Sequence, residues 1–187
     1  MGLDQYIFRI KKANLEDKVW NDKELRELGF TYAYTEADDG LKADAPVVQY
    51  AQKLNVRFEC YDTEKMIADY NMPEDSHISW HMPNSIRLSG YRDGERVHQD
   101  ITNDEIKEKY TFNKVIPCYV WAEEEIAYWR KCYELQDWIY ENVDGAGNCE
   151  YCLLDAEQIS IINAECDADI PEEDPTDEVG YFYWEWY

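Results

Sequence analysis

Residues 181–187 read YFYWEWY, six aromatic rings in seven positions, directly after DADIPEEDPTDEVG, which carries seven acidic residues and no basic one. Rings at that density do not belong in a solvated tail, so the segment is expected to be a last strand that buries part of itself. Alternation along a strand sends Tyr181, Tyr183, Glu185 and Tyr187 to one face and Phe182, Trp184 and Trp186 to the other. The second face is expected to enter a core. The first, amphipathic through Glu185 and next to the acidic stretch, is expected to meet a partner.

The rest of the chain mixes strands and helices irregularly, which implies an α+β fold with a mixed or antiparallel sheet. Residues 4–12 alternate as a first strand, with Tyr6, Phe8 and Ile10 on one face. A capped helix is expected after Asn21 or Asp22 and ends at Gly29. Residues 46–54 have helical spacing, 56–62 read as a strand, and Thr63 caps a short helix. Asp93-Gly94 lies between two alternating runs and supplies the positive φ angles of a tight hairpin. Residues 102–110 suit a short capped helix and 114–122 a strand. The longest helix is expected over residues 122–143, where Ile126, Trp129, Cys132 or Tyr133, Gln136, Ile139 and Val143 recur at three- and four-residue steps. A further helix is expected over 155–166. With 187 residues, 45% hydrophobic and 15% aromatic, the chain can bury the core of one domain or of two small lobes. A sub-boundary is expected near 111–121, ahead of a strongly acidic C-terminal third, 132–187.

Charge narrows the choice of partner. The net charge is −23, and no Lys or Arg follows Lys131, whereas sixteen acidic residues do. Such a chain repels nucleic-acid phosphates and anionic membranes, so direct binding to either is disfavoured. A solvated face is the ordinary reading of a charge run. Self-repulsion within a folded segment nevertheless invites a basic protein partner, with Asp167, Asp169, Glu172, Glu173, Asp174, Asp177, Glu178 and Glu185 as contacts and Trp184 and Trp186 as aromatic anchors. The first residues, MGLDQYIFRIKK, lack the pattern of a secretory signal, and no apolar run reaches membrane-spanning length. A cytoplasmic location follows as an expectation, with the six cysteines mostly reduced.

Chemical motifs are sparse. Cys149 and Cys152 form a C-x-x-C pair, and His77 and His81 stand four apart, the weak elements of a composite zinc site. No second pair follows at finger spacing, acidic surroundings disfavour a redox-active C-x-x-C, and two thiols in or near a core are the better reading. No recognisable frame of nucleophile, base and orienting group is present, so neither an enzyme nor a cofactor is expected.

At MGLDQYIFRIKK together with EIAYWRKCYELQDWIYENV, the sequence resembles a family of small phage and prophage proteins that open with MGLD-x-Y, carry a tyrosine-tryptophan-arginine-lysine helix and tend to end in an aromatic, acidic segment. Two departures stand out: Gln5 replaces a common methionine, and Leu135 and Gln136 replace an isoleucine-histidine pair. The resemblance implies phage-accessory biology, in which small acidic inhibitors of host defence, such as anti-CRISPR proteins, recur. The expectation is therefore an inhibitor of a nucleic-acid-guided host nuclease, of Cas9 type, that occupies a basic channel with carboxylates. A metal-dependent or hydrolytic phage accessory enzyme and a structural phage interaction protein are the alternatives.

Overall fold

Strand β1, Asp4–Lys11, alternates buried and half-buried side chains and takes a partner on each side. One is the C-terminal strand β10, Val179–Trp186, antiparallel in a register that runs from Asp4 opposite Trp186 to Lys11 opposite Val179. The other is β8, Thr111–Arg130. This computed structural model describes residues 2–35 and 41–187. The protein is α+β and comprises two compact units, one of Met1–Val56 with Ile116–Tyr187 and one of Arg57–Val115.

The first unit is built around a sheet. Its remaining strands are β2 (Val19–Asn21), β3 (Phe30–Tyr34), the first part of β4 (Gln52–Tyr61) and β9 (Cys152–Leu154). Among the described residues the strand order is β2-β4-β8-β1-β10-β9, with β3 also paired to β8. Helix α1, Asp22–Glu27, is capped by the Asn21 side chain, which accepts from Lys23 N, and Gly29 beyond its end takes φ 81°.

Two helices cover one face of the sheet. Helix α4 is Tyr133–Asn142 and α5 is Ala156–Cys166, the latter started by a capping box in which Asp155 accepts from Gln158 N and Gln158 accepts from Asp155 N. Leu135 and Ile139 of α4 pack with Ile159 and Ile162 of α5 against Ile7, Tyr181 and Tyr183 of the sheet. The opposite face buries Ile10, Trp121 and Phe182 beneath Val47 and Tyr50. Each fully buried aliphatic or aromatic side chain contributes about 1.5–3 kcal/mol, so these two layers dominate the stability of the unit.

In the second unit, β5 (His77–Met82), β6 (Ser85–Arg92) and β7 (Glu95–Thr102) make an antiparallel sheet. The β6–β7 hairpin turns at Asp93 and Gly94, whose φ angles are 54° and 82°. Helices α2 (Thr63–Asp69) and α3 (Asn103–Lys109) supply Met66 and Ile106 to a core with Ile86, Leu88, Ile101 and Tyr110.

Three local readings are corrected. The helix expected over 122–143 is a strand as far as Arg130, a turn at Lys131 with φ 59°, and a helix only from Tyr133 to Asn142. Opposite β1, Ile7 faces Ala127 and Phe8 faces Glu125, so Ile126 is an extra, bulged residue. One inserted residue turns the two-residue repeat of the strand into a three-residue step between Glu124 and Ala127, opposite Arg9 and Ile7, and a step of that size imitates helical spacing. Pairing with β1 then decides the outcome, because propensity is weaker than a filled sheet position. Tyr128, Trp129 and Arg130 thus end a strand and do not ride on a helix. Residues 46–54 are a 3-10 turn, Pro46–Tyr50, followed by the start of β4. Asp62, one residue earlier than Thr63, caps α2 by accepting from Lys65 N.

Candidate interaction surface

The acidic segment between α5 and β10 is an ordered ledge. Asp167 ends α5 in the left-handed conformation, φ 50°. Ile170 is buried, and the Asn163 side chain clamps its backbone from both sides, accepting from Ile170 N at 2.9 Å and donating to Ile170 O at 2.8 Å. Farther along, Asp174 Oδ1 accepts from Ala156 N at 3.1 Å, Tyr181 donates its hydroxyl to Glu173 at 3.2 Å, and Tyr50 donates to Thr176 O at 2.9 Å. Lys12 N donates to Glu178 O at 2.9 Å. Backbone and short polar contacts therefore hold the ledge in place while Asp167, Asp169, Glu172, Glu173, Asp174, Asp177 and Glu178 all remain exposed.

Those seven carboxylates are barely compensated. Among the described residues they make one ion pair, Lys12 Nζ with Glu178 at 3.9 Å, and both of its side chains are solvated. A pair of that kind contributes only about 0–1 kcal/mol. The ledge is thus a negative surface whose shape is set by contacts other than charge pairing.

Glu185, expected on the partner-facing side, is instead fully buried. Its strand lies between β1 and β9, and the face carrying Tyr181, Tyr183 and Glu185 is the one that α4 covers. Gln136 of α4 donates to both carboxylate oxygens at 3.1 Å, Tyr183 donates its hydroxyl at 2.7 Å, and Tyr140 donates a further short hydrogen bond. Gln5, opposite Glu185 in the register, donates to the Tyr183 hydroxyl at 2.9 Å and completes the cluster. Burial first, and the bonded Glu185 next, push the Tyr183 and Tyr140 hydroxyls well above their usual range, so both stay protonated donors. Neutral donors solvate this charge in place of water, which makes Glu185 a structural group.

The expected division of the tail is thereby reversed along most of its length. Phe182 is buried as expected, Trp184 is half-buried, and Trp186 is 57% exposed. Trp184 packs on Tyr6, Phe8 and Tyr151 at ring separations of 5.7 to 6.4 Å. Tyr128, 46% exposed, leans on Tyr6 at 5.0 Å and donates its hydroxyl to Asp4 at 2.7 Å. One side of the sheet therefore presents aromatic rings beside carboxylates, with Trp186 the ring freest to engage a partner.

A groove of about 550 Å³ opens on the same unit, walled by Thr31, Tyr32, Trp121, Tyr151 and Trp184. Glu123 accepts from Trp121 Nε1 and Tyr151 Oη, each at 2.9 Å. Burial raises its carboxyl pKa, partly offset by these hydrogen bonds and one from Thr31.

The C-x-x-C pair and the histidine pair belong to different units. Cys149, exposed at φ 63°, donates toward Asn148 Oδ1 at 3.7 Å, while Cys152 is buried and donates to Gly145 O at 3.4 Å. His77 and His81 are both exposed on β5, in the other unit. No three His, Cys, Asp or Glu side chains gather at metal-holding geometry among the described residues. None of their helices is long and apolar enough to cross a membrane.

Sequence reasoning missed two polar centres, Glu185 with Gln5 and Gln136, and Glu123 with Trp121 and Tyr151. For the first a signal existed: Gln5 stands at a buried position of an otherwise apolar-alternating strand face with Leu3 and Ile7. For Glu123, within the run Glu123-Glu124-Glu125, no local signal separates the half-buried carboxyl from its two exposed neighbours. Comparison of the chain with protein-family models, with curated proteins and with solved structures gives no match.

Proposed function

We propose that the protein is a phage-encoded binding protein that acts in the host cytoplasm by occupying a basic nucleic-acid channel, and that its target is a guide-loaded nuclease of the Cas9 type. The supporting observation is the ordered ledge from Asp167 to Glu178, which displays seven exposed carboxylates against a single solvated lysine pair. A nuclease channel that holds a guide–target duplex is lined with Arg and Lys that a row of carboxylates can engage in place of phosphates. Fixing the ledge beforehand lowers the ordering cost of such binding. Trp186, exposed on β10, supplies an aromatic anchor of the kind enriched at interface hot spots.

The test mixes the purified protein with a guide-loaded nuclease and measures target-DNA binding and cleavage at low and high salt. Inhibition that weakens steeply as salt rises is the expected result. The double reversal Asp169→Lys/Asp177→Lys should abolish it while leaving Tm nearly unchanged, since among the described residues neither side chain forms an ion pair or a hydrogen bond and Asp177 acts on the Tyr50 hydroxyl through its charge alone. Unaltered cleavage by all such enzymes, or an affinity that ignores salt, overturns the proposal.

A further inference from the structure

Six cysteines are present and all are free thiols. Cys118 is sealed in the interior, and Cys149 and Cys152 turn to different oxygen acceptors. Cys132 and Cys166 behave differently. Cys132 occupies the N-cap position of α4 and Cys166 is the last residue of α5. Both are half-buried, and both line one cavity of about 360 Å³ with Leu135, Trp138, Ile161 and Ile162. Their side chains are in hydrogen-bond contact.

We propose that Cys132 and Cys166 form a dithiol site that small disulfides oxidise to an intramolecular bridge between the start of α4 and the end of α5. The geometry favours it on three counts. The two side chains line the same cavity and interact there, so closure requires little loss of freedom. Cys132 is fixed through its backbone, donating N–H to Gln5 Oε1 and accepting from Gln5 Nε2, both at 3.0 Å. The cavity supplies an approach for a small reagent that sealed Cys118 lacks.

The order of events follows from ionisation. The Cys166 thiol is pushed up to about 11, by burial first and then by Cys132, Glu165 and Glu134, so it holds its proton at neutral pH. Cys132 gives its proton to solvent base and attacks one sulfur of the reagent, the reagent's S–S bond breaks, and one small thiolate leaves. Cys166 then gives its proton to solvent base and attacks Cys132 Sγ in the mixed disulfide, releasing the second small thiolate. Two electrons pass from the protein to the reagent, and the two protons from the cysteines end on the released thiols. Glu134 and Glu165 on the cavity wall disfavour anionic reagents, so neutral hydroxyethyl disulfide should react severalfold faster than glutathione disulfide.

The experiment treats the reduced full chain with hydroxyethyl disulfide and maps the product. No Lys or Arg follows Lys131, so trypsin alone leaves four cysteines in one peptide, and cleavage after glutamate is needed to separate residues 132–134 from 166–172. The expected product has lost two thiols and about two mass units, joins those two peptides, and melts several degrees higher because a loop of about 35 residues is closed. The Cys166→Ser variant should stop at a mixed disulfide on Cys132, and Cys132→Ser should leave Cys166 unmodified over the same interval. Adducts on both cysteines without a bridge, or a bridge elsewhere in the wild-type map, overturn the proposal whether or not the variants fold.

Discussion

Gln136 holds both carboxylate oxygens of Glu185 at 3.1 Å across 49 residues of sequence, and the carboxylate it holds is wholly shielded from water. Removing that carboxylate orphans donors. Glu185→Lys places a cation among Gln136, Tyr140 and Tyr183, all donors, and should cost about 3–5 kcal/mol, a large share of the stability of a domain this size. Glu185→Gln keeps one acceptor oxygen and should cost about 1–3 kcal/mol. Urea unfolding followed by tryptophan fluorescence measures both. A Glu185→Lys protein as stable as the wild type would contradict the buried network.

Gln5 makes a narrower prediction. It exchanges two hydrogen bonds with the backbone of Cys132 and gives one to Tyr183. In Gln5→Met the Cys132 carbonyl keeps the N–H of Gln136, and the Tyr183 hydroxyl keeps Glu185 as acceptor. Only the Cys132 N–H is left without a partner, so the loss should be about 1–3 kcal/mol and should not grow to the sum of three bonds. Denaturant melts of the variant beside wild type decide this.

How much of this was legible in the sequence depends on the range of the forces involved. Locally encoded features were readable: the Asp93-Gly94 turn, the Asn21 cap, the α5 segment and the strand nature of both chain ends. Features decided by pairing across the chain were not. The bulge at Ile126 exists only because β8 must match β1, and nothing within residues 122–130 announces it. The polarity of the tail was misread for the same reason. Alternation shows that Glu185 and Trp186 face opposite ways, but only the placement of α4 decides which way is inward. The exposed acids from Asp167 to Glu178 were legible because charge without compensation stays at the surface in most folds.

At Gly180 the core closes tightly on β10. A Cβ built there would lie 2.7 Å from Tyr50 Oη, 2.8 Å from Tyr50 Cζ and 2.9 Å from Phe182 Cε2, all tighter than contact allows. Tyr50 cannot retreat freely, because its hydroxyl ties down the ledge at Thr176. Gly180→Ala should therefore cost about 1–3 kcal/mol through overpacking and loosen the ledge as well. At Gly94 no atom lies within 4 Å of such a Cβ, and only the positive φ of 82° is strained, so Gly94→Ala should cost about 1 kcal/mol. Thermal melts of the pair should rank them in that order, and amide exchange at residues 176–178 should quicken in Gly180→Ala alone.

Glu123 gives the protein a pH dependence of stability with a definite sign. Burial raises the folded-state pKa of its carboxyl above the ordinary value of 4.5, against weaker opposition from Trp121, Tyr151 and Thr31. Between the unfolded and folded pKa values the native state binds the proton more tightly, so Glu123 favours folding most at acid pH. Its contribution falls as pH rises through that window and is level above it. Glu123→Gln removes the ionisation and keeps an oxygen able to accept from Trp121 Nε1 and Tyr151 Oη. The variant should lose this descending component and be at least as stable as wild type at pH 7. Stability measured from pH 4 to 7 by urea unfolding, taken as the difference between wild type and Glu123→Gln, isolates it from the other carboxylates. A difference that does not change with pH would show that the Glu123 carboxyl ionises alike in the folded and unfolded chains.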